Sequence, residues 1–242
     1  MKLAKFAGAI LDLIYPRYCL ICSVTLNHTD RKALCSDCQD KIEFVSQKTA
    51  CPKCGLELGP YVESYIRCRD CAVNPPRFKQ AFAVARYTGI MRDLIHLFKF
   101  NRQKVLLDEL SALLINKWAQ ARPELPPIDL IIPTPLHSKK LRQRRFNQCE
   151  LLARELSKAT ATPAELNNLI KIKETADQSS LNATERKQNI IDAFIVRNPQ
   201  SVEDKNILLI DDVLTTGSTA SEITRMLKNN GAKNVYVLVL GR

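Results

Sequence analysis

Ile207-Leu208-Leu209-Ile210-Asp211-Asp212-Val213-Leu214-Thr215-Thr216-Gly217-Ser218-Thr219 sets four apolar residues ahead of two carboxylates and a run of hydroxyls. Four apolar residues in a row suit a strand covered on both faces, as in a parallel sheet flanked by helices. Beyond the loop, Ala220, Ile223 and Leu227 share one helical face, and Gly231 marks the helix exit. The stretch predicts a strand, an acidic pair, a hydroxyl-rich loop and a helix N-terminus in succession. Unpaired N–H groups at such a terminus, with hydroxyls beside them, attract an anion such as phosphate. Two carboxylates would repel that phosphate unless they hold vicinal ribose hydroxyls or a magnesium ion on the same ligand. A sugar phosphate is therefore the expected guest. Weighed against it is the plainer reading, in which acids at a strand end and Ser/Thr/Gly turns are ordinary caps.

Cysteine spacing defines a second feature, far from the first. Cys19-x2-Cys22 and Cys35-x2-Cys38 are followed by Cys51-x2-Cys54 and Cys68-x2-Cys71. Four such pairs make two complete four-thiolate sets with the spacing of structural zinc sites. A closed four-thiolate site has no open coordination position, so two structural zinc ions are expected. Sequential sets are favoured, Cys19, Cys22, Cys35 and Cys38 on one ion and Cys51, Cys54, Cys68 and Cys71 on the other. A cross-braced pairing stays open. A disulfide framework is disfavoured because no secretory signal is legible, and thiols stay reduced in the cytoplasm. The ninth cysteine, Cys149, falls on a helical pattern with Leu151, Leu152 and Leu156 and reads as a core thiol.

The chain has 242 residues, 45% hydrophobic and 25% charged, which is ordinary for a globular protein long enough to bury a sizeable core. Its net charge is +11, unevenly placed. Residues 1–76 carry ten Lys/Arg against eight Asp/Glu, leaving +9 for residues 77–242. A basic second part favours polyanionic partners such as nucleic acid, phosphorylated metabolites or an anionic membrane face. No run approaches the roughly 20 apolar residues of a transmembrane helix. Residues 1–15 place Leu3, Phe6, Ala7, Ile10, Leu13 and Ile14 at helical spacing and predict an amphipathic helix ended by Pro16.

Asn74-Pro75-Pro76 reads as the joint between two units, 1–76 and 77–242. Past the joint, a strand is expected from Ala81 to Tyr87, helices over Met91 to Phe100 and about Val105 to Ala121, and a buried strand at Asp129 to Pro133. The loop after Pro133 runs through Thr134-Pro135-Leu136 into the most basic stretch of the chain. There Lys139, Lys140, Arg142, Arg144 and Arg145 put five cations in seven residues with no acid. A charge run is usually a solvated face, but ligands of open α/β sheets bind at the C-terminal ends of the strands. A pyrophosphate or a nucleic-acid backbone suits it. A helix follows through Ser157, then a short strand within Asn168 to Lys173. The polar segment Glu174 to Asn189 reads as a lid, and strands are expected at Ala193 to Val196 and Val235 to Leu240.

Asp211 to Thr219 resembles the phosphoribosyl pyrophosphate (PRPP) binding loop of the type I phosphoribosyltransferases. The whole chain is similar to the ComF family of competence proteins, which joins a cysteine-rich zinc module to a phosphoribosyltransferase domain. The likeness rests on the four cysteine pairs, Tyr87, Lys99-Phe100, Ile132 to Leu136, Arg144, Phe146-Asn147-Gln148, Gln178, Leu181, Glu185-Arg186, Asn189 and the quoted loop. One departure is Arg145, where the family tends to carry Gly. The resemblance implies an α/β fold, a phosphoribosyltransferase-type parallel sheet flanked by helices and preceded by a small zinc module. It implies magnesium-bound PRPP, with Asp211 and Asp212 on the ribose hydroxyls and Thr215, Thr216, Gly217, Ser218 and Thr219 on the 5′-phosphate. Pyrophosphate would fall to Thr134, Pro135, Leu136, Lys99 and Arg144. It implies natural transformation, with single-stranded DNA handled on the cytoplasmic side, at the inner face of the membrane, alongside other DNA-uptake proteins. Lys139, Lys140, Arg142, Arg144 and Arg145 would be the nucleic-acid contacts. The alternative is an active phosphoribosyltransferase of nucleotide or related metabolism, although no segment reads as a hood that recognises an acceptor base.

Overall fold

The structure, a computed structural model, describes residues 17–26, 32–62, 66–100, 104–175 and 190–242. The cysteine-rich part contributes only short pieces: β1 (Arg17–Tyr18), β2 (Thr25–Leu26), α1 (Ser36–Asp40) and α2 (Arg69–Val73). After the joint come β3 (Gln80–Ala85), α3 (Gly89–Phe100), α4 (Lys104–Ala121), β4 (Leu130–Pro133), α5 (Ser138–Arg144) and α6 (Gln148–Thr160). The chain closes with β5 (Leu169–Lys171), β6 (Phe194–Val196), β7 (Asn206–Val213), α7 (Ser218–Asn229) and β8 (Asn234–Gly241). Strands β3, β8, β7 and β4 lie side by side in that order, all parallel, while β5 and β6 pair antiparallel outside the sheet.

Successive side chains of a strand face opposite sides, so β7 and β8 build two layers. Leu208, Ile210, Tyr236, Leu238 and Leu240 pack with Leu94, Leu110 and Leu152 of α3, α4 and α6. Ile207, Leu209, Val235, Val237 and Val239 pack with Ile223 and Leu227 of α7. The cysteine-rich part divides between these layers. Cys19, Leu34, Cys38 and Ile42 join the first, and Cys51, Cys54, Cys68 and Cys71 join the second.

The same part lies along the outer edge of β3. Ala81 donates its N–H to the Lys53 carbonyl at 3.0 Å, Val45 donates to Val84 at 3.0 Å, and Arg86 donates to Glu43 at 2.8 Å. The approach is close enough to require Gly55, whose φ is +69° and whose added Cβ would sit 2.9 Å from the Ala81 oxygen. On the far edge, Ile131 of β4 bonds Pro163 and Glu165.

The main difference from the sequence-based expectation is the basic stretch, which is the helix α5 rather than a loop. His137 caps it through Nδ1, accepting from the Lys139 N–H at 3.4 Å. It ends on Arg145 at φ 64°, with the Arg145 N–H donating to Leu141. A left-handed residue in this position is normally Gly, because a Cβ is crowded there. The expected N-terminal helix and residues 176–189 of the expected lid lie outside the described residues; Glu174 and Thr175 lie within. Among the described residues no helix is long and apolar enough to cross a membrane.

Candidate functional site

The parallel sheet brings the ends of β4 and β7 together, with Pro133 opposite Ile210 and the Thr134 N–H donating to the Ile210 carbonyl at 2.8 Å. Above them opens a cleft of about 530 Å³ lined by Lys99, Thr134, Pro135, Leu136, Lys140, Arg144, Asp211, Asp212, Thr215 and Thr219. Ligands of open α/β sheets occupy this position. Residues far apart in sequence therefore share one wall.

Asp211 and Asp212 are both buried at its floor. Lys99 reaches in from α3 and pairs with Asp212 Oδ2 at 2.9 Å, and Gln148 Nε2 donates to the same oxygen at 2.9 Å. Asp211 Oδ1 accepts from the Asp212 N–H at 2.9 Å and from the Cys149 thiol at 3.5 Å. Burial and the adjacent Asp212 carboxylate push Asp211 up to about 7. Burial works to lower Lys99, but the Asp212 carboxylate outweighs it and raises the ammonium above its usual value. Cys149 has a carboxylate beside it in space that its local sequence does not supply. Burial and both aspartates push the thiol well above its ordinary value, so it stays protonated and donates.

Two polar atoms at the cleft are buried and have no partner among the described residues: Thr134 Oγ1 and Gln148 Oε1, on residues only 8% and 3% exposed. Gln148 must turn its nitrogen to Asp212, because an ionised carboxylate only accepts. Its oxygen is left as an acceptor awaiting a donor, such as a sugar hydroxyl or a metal-bound water. Asn147 holds this corner in place. It caps α6 by accepting from the Cys149 N–H at 3.0 Å and donates Nδ2 to the Thr134 carbonyl at 3.0 Å. The roles of Gln148 and Cys149 toward the aspartates escaped sequence reasoning because the partners are more than sixty residues away.

The remaining expected residues divide. Thr216, Gly217 and Ser218 line a neighbouring hollow with Cys54, Cys71 and Arg242 rather than the cleft, and Thr215 borders both. Lys139 faces a recess with Glu174 and pairs with it at 2.7 Å, whereas Arg142 and Arg145 are exposed on α5 and its cap. Tyr87 and His96 close one side of the cleft through a 3.1 Å hydrogen bond.

The cysteines form two sequential groups, Cys19, Cys22, Cys35, Cys38 and Cys51, Cys54, Cys68, Cys71, the sulfurs of each within 4.8 Å of one another. Tetrahedral coordination at a Zn–S length of about 2.3 Å requires sulfur separations of about 3.8 Å. Cys22 to Cys35 at 3.6 Å and Cys54 to Cys68 at 3.7 Å match it. Burial works to raise Cys51, but the amides of Cys68, Cys54 and Lys53 outweigh it and bring the thiol down to about 7, readying it as a ligand. The pairing is sequential, not cross-braced.

Sheet and cleft define an α/β domain of the phosphoribosyltransferase type carrying two zinc sites. Residues 10–72 match the double zinc ribbon domain family, and residues 148–241 the phosphoribosyl transferase domain family. The chain is 35% identical over 234 residues to DNA utilization protein YhgH of Shigella flexneri, covering 95% of this chain and 99% of that one. It is 32% identical over 228 residues to competence protein F of Haemophilus influenzae, covering 93% and 96%. Competence protein ComFC of Bacillus subtilis is 27% identical over 205 residues, covering 82% and 79%. The chain belongs to the ComF family of competence proteins.

Proposed function

We propose that this protein is a natural-transformation factor that handles incoming single-stranded DNA in the cytoplasm, at the inner face of the membrane and with other DNA-uptake proteins. We further propose that its cleft holds PRPP, or another ribose phosphate, with magnesium. The names of the relatives, competence protein F and DNA utilization protein, support the first part. The observation that carries the second is the pair of buried atoms without a partner among the described residues, Thr134 Oγ1 and Gln148 Oε1, beside two carboxylates and the four cations Lys99, Lys140, Arg144 and Lys171. Residues 1–76 serve as N-terminal helix and zinc module, and residues 77–242 as the ligand-binding domain.

In this reading Asp211, Asp212 and Gln148 take the donors of a ribose and its metal-bound waters, while Lys99, Arg144 and Thr134 to Leu136 take the pyrophosphate. Magnesium, when bound, would screen the pyrophosphate from the acidic floor. The 5′-phosphate reaches past the cleft to the adjoining loop, Thr215 through Thr219, part of which lines the neighbouring hollow. A DNA backbone would be repelled by the acidic floor, so DNA lies along Lys139, Lys140, Arg142, Arg144 and Arg145 outside it. Calorimetry with magnesium and PRPP and gel shifts with short single-stranded DNA test the two parts. Ala at Arg142, Arg144 and Arg145 together should weaken DNA binding and flatten its log–log salt slope by about 2, at roughly 0.7 for each phosphate no longer neutralised. An unchanged slope, or no binding by the native chain, sinks the DNA assignment.

The intact acidic pair favours a second reading, an active phosphoribosyltransferase of nucleotide or related metabolism, in which Asp211 and Asp212 also balance positive charge developing on the sugar. Pyrophosphate release from PRPP across a panel of bases and amines is the test. Silence across the panel, with no thermal shift from magnesium and PRPP, removes it.

A further inference from the structure

Arg242 links the second zinc site to the hydroxyl loop. Its Nε donates to the Cys54 carbonyl at 3.1 Å and its Nη2 to Cys54 Sγ at 3.4 Å. The other guanidinium nitrogen, Nη1, donates to the carbonyls of Leu214, at 3.0 Å, and Thr215. The backbone of Arg242 is itself fixed, donating to Ala85 at 3.1 Å and accepting from Tyr87 at 2.9 Å. One forked side chain thus spans a zinc ligand and the first two residues of the loop.

We infer that zinc in the second set shapes the phosphate loop through Arg242, so that occupancy of this ion, and not of the first, governs affinity for the phosphorylated ligand. The inference rests on the reading that the loop holds a phosphate. In a planar trans peptide the C=O and N–H point in opposite directions. Pinning the Leu214 and Thr215 carbonyls on Arg242 therefore turns the N–H groups of Thr215 and Thr216 away from it, fixed as anion donors. A zinc-bound Cys54 thiolate is a charged acceptor for the guanidinium, whereas the neutral thiol left without metal is a weak one. Lysine could not replace the fork, since an ammonium has no planar set of donors to divide among four acceptors. Outer-shell partners of metal ligands commonly carry effects of tenfold to a hundredfold, and coupling between two sites must run both ways.

The first measurement uses the full chain with both ions loaded. Calorimetry with magnesium and PRPP compares the native protein with Arg242→Lys, zinc content being checked in each; the variant should bind about tenfold more weakly with both ions retained. Chelator competition on a Cys22→Ser chain, which keeps only the second ion, gives the reciprocal reading: PRPP should slow zinc loss severalfold. If the native chain binds no PRPP, the ligand assignment fails before the coupling is reached. If the native chain binds and Arg242→Lys binds equally with zinc in place, the coupling is overturned. Should Arg242→Lys lose zinc or fail to fold, the competition decides, and zinc loss indifferent to PRPP overturns the coupling.

Discussion

The second cysteine set and the acidic cleft flank the same loop, and each gathers groups of like charge, yet one is closed and the other open. Cys51, Cys54, Cys68 and Cys71 are 1–7% exposed and converge on a single point, with the Cys68 N–H and Arg242 donating to their sulfurs. In the cleft, Asp211 is held near neutrality, and Thr134 and Gln148 each have a polar atom with no partner among the described residues. A metal completes the first arrangement as part of folding. The second stays incomplete in the folded chain, so its cost is offset only when a ligand arrives. Opposite outcomes are expected when the two are cut: loss of stability at the thiolates, gain of stability at the cleft.

The largest effect is expected at the cysteines. Cys51→Ser should lower the calorimetric midpoint by more than about 10 °C, at roughly 2–4 °C per kcal/mol for a chain of this size. Cys22→Ser should lower it by much less, because Cys22 is exposed whereas all four cysteines of the second set are buried. Equal losses would break the distinction between the two sets.

Asp211→Asn should act in the other direction. The folded value of Asp211, about 7, stands above the usual carboxylate range. Its contribution to stability is thus complete below about pH 4 and is lost as pH rises through 7. The asparagine variant should match the native chain near pH 4 and melt higher at pH 8, by a few kcal/mol at most. A midpoint difference independent of pH would remove the raised acid from the comparison. Magnesium-dependent ligand affinity should weaken at any pH.

Thr134→Val keeps the side-chain shape and removes only the unpartnered hydroxyl, since the Thr134 N–H and carbonyl bonds belong to the backbone. It should stabilise the free chain by about 1 kcal/mol and weaken PRPP binding. A destabilised variant would mean that the hydroxyl is satisfied in solution. The smallest effect is Arg145→Gly, expected to stabilise by under about 1 kcal/mol because relief of the left-handed strain is partly offset by a looser unfolded chain. A thermal melt resolves it.

The strand, acidic pair and helix around Asp211 were legible because an apolar run, carboxylates and hydroxyls each leave a local signature, and β7 and α7 stand where that signature puts them. Paired cysteines announced both metal sites in the same way. Helix α5 was not legible, since four cations and one exposed leucine give no apolar stripe and its N-terminal cap is a histidine. Gln148 and Arg242 were missed for another reason. Each acts on a residue at least 64 positions from it in at least one hydrogen bond, and only the folded sheet brings those partners together. The assignment of the two cysteine sets to opposite layers is likewise a property of the sheet, not of any spacing.

The backbone bonds that the segment from Glu43 to Lys53 makes along β3 have a consequence for what becomes of the protein when metal is scarce. A strand edge with unpaired amides and carbonyls is a template for any other extended chain, including a second copy of itself. Here that template is covered by a segment that carries Cys51, one of the four thiols of the second metal site. Starved of zinc, the chain is therefore expected to be lost from solution by edge-to-edge aggregation, and the amount of intact protein in a cell becomes a readout of its zinc supply.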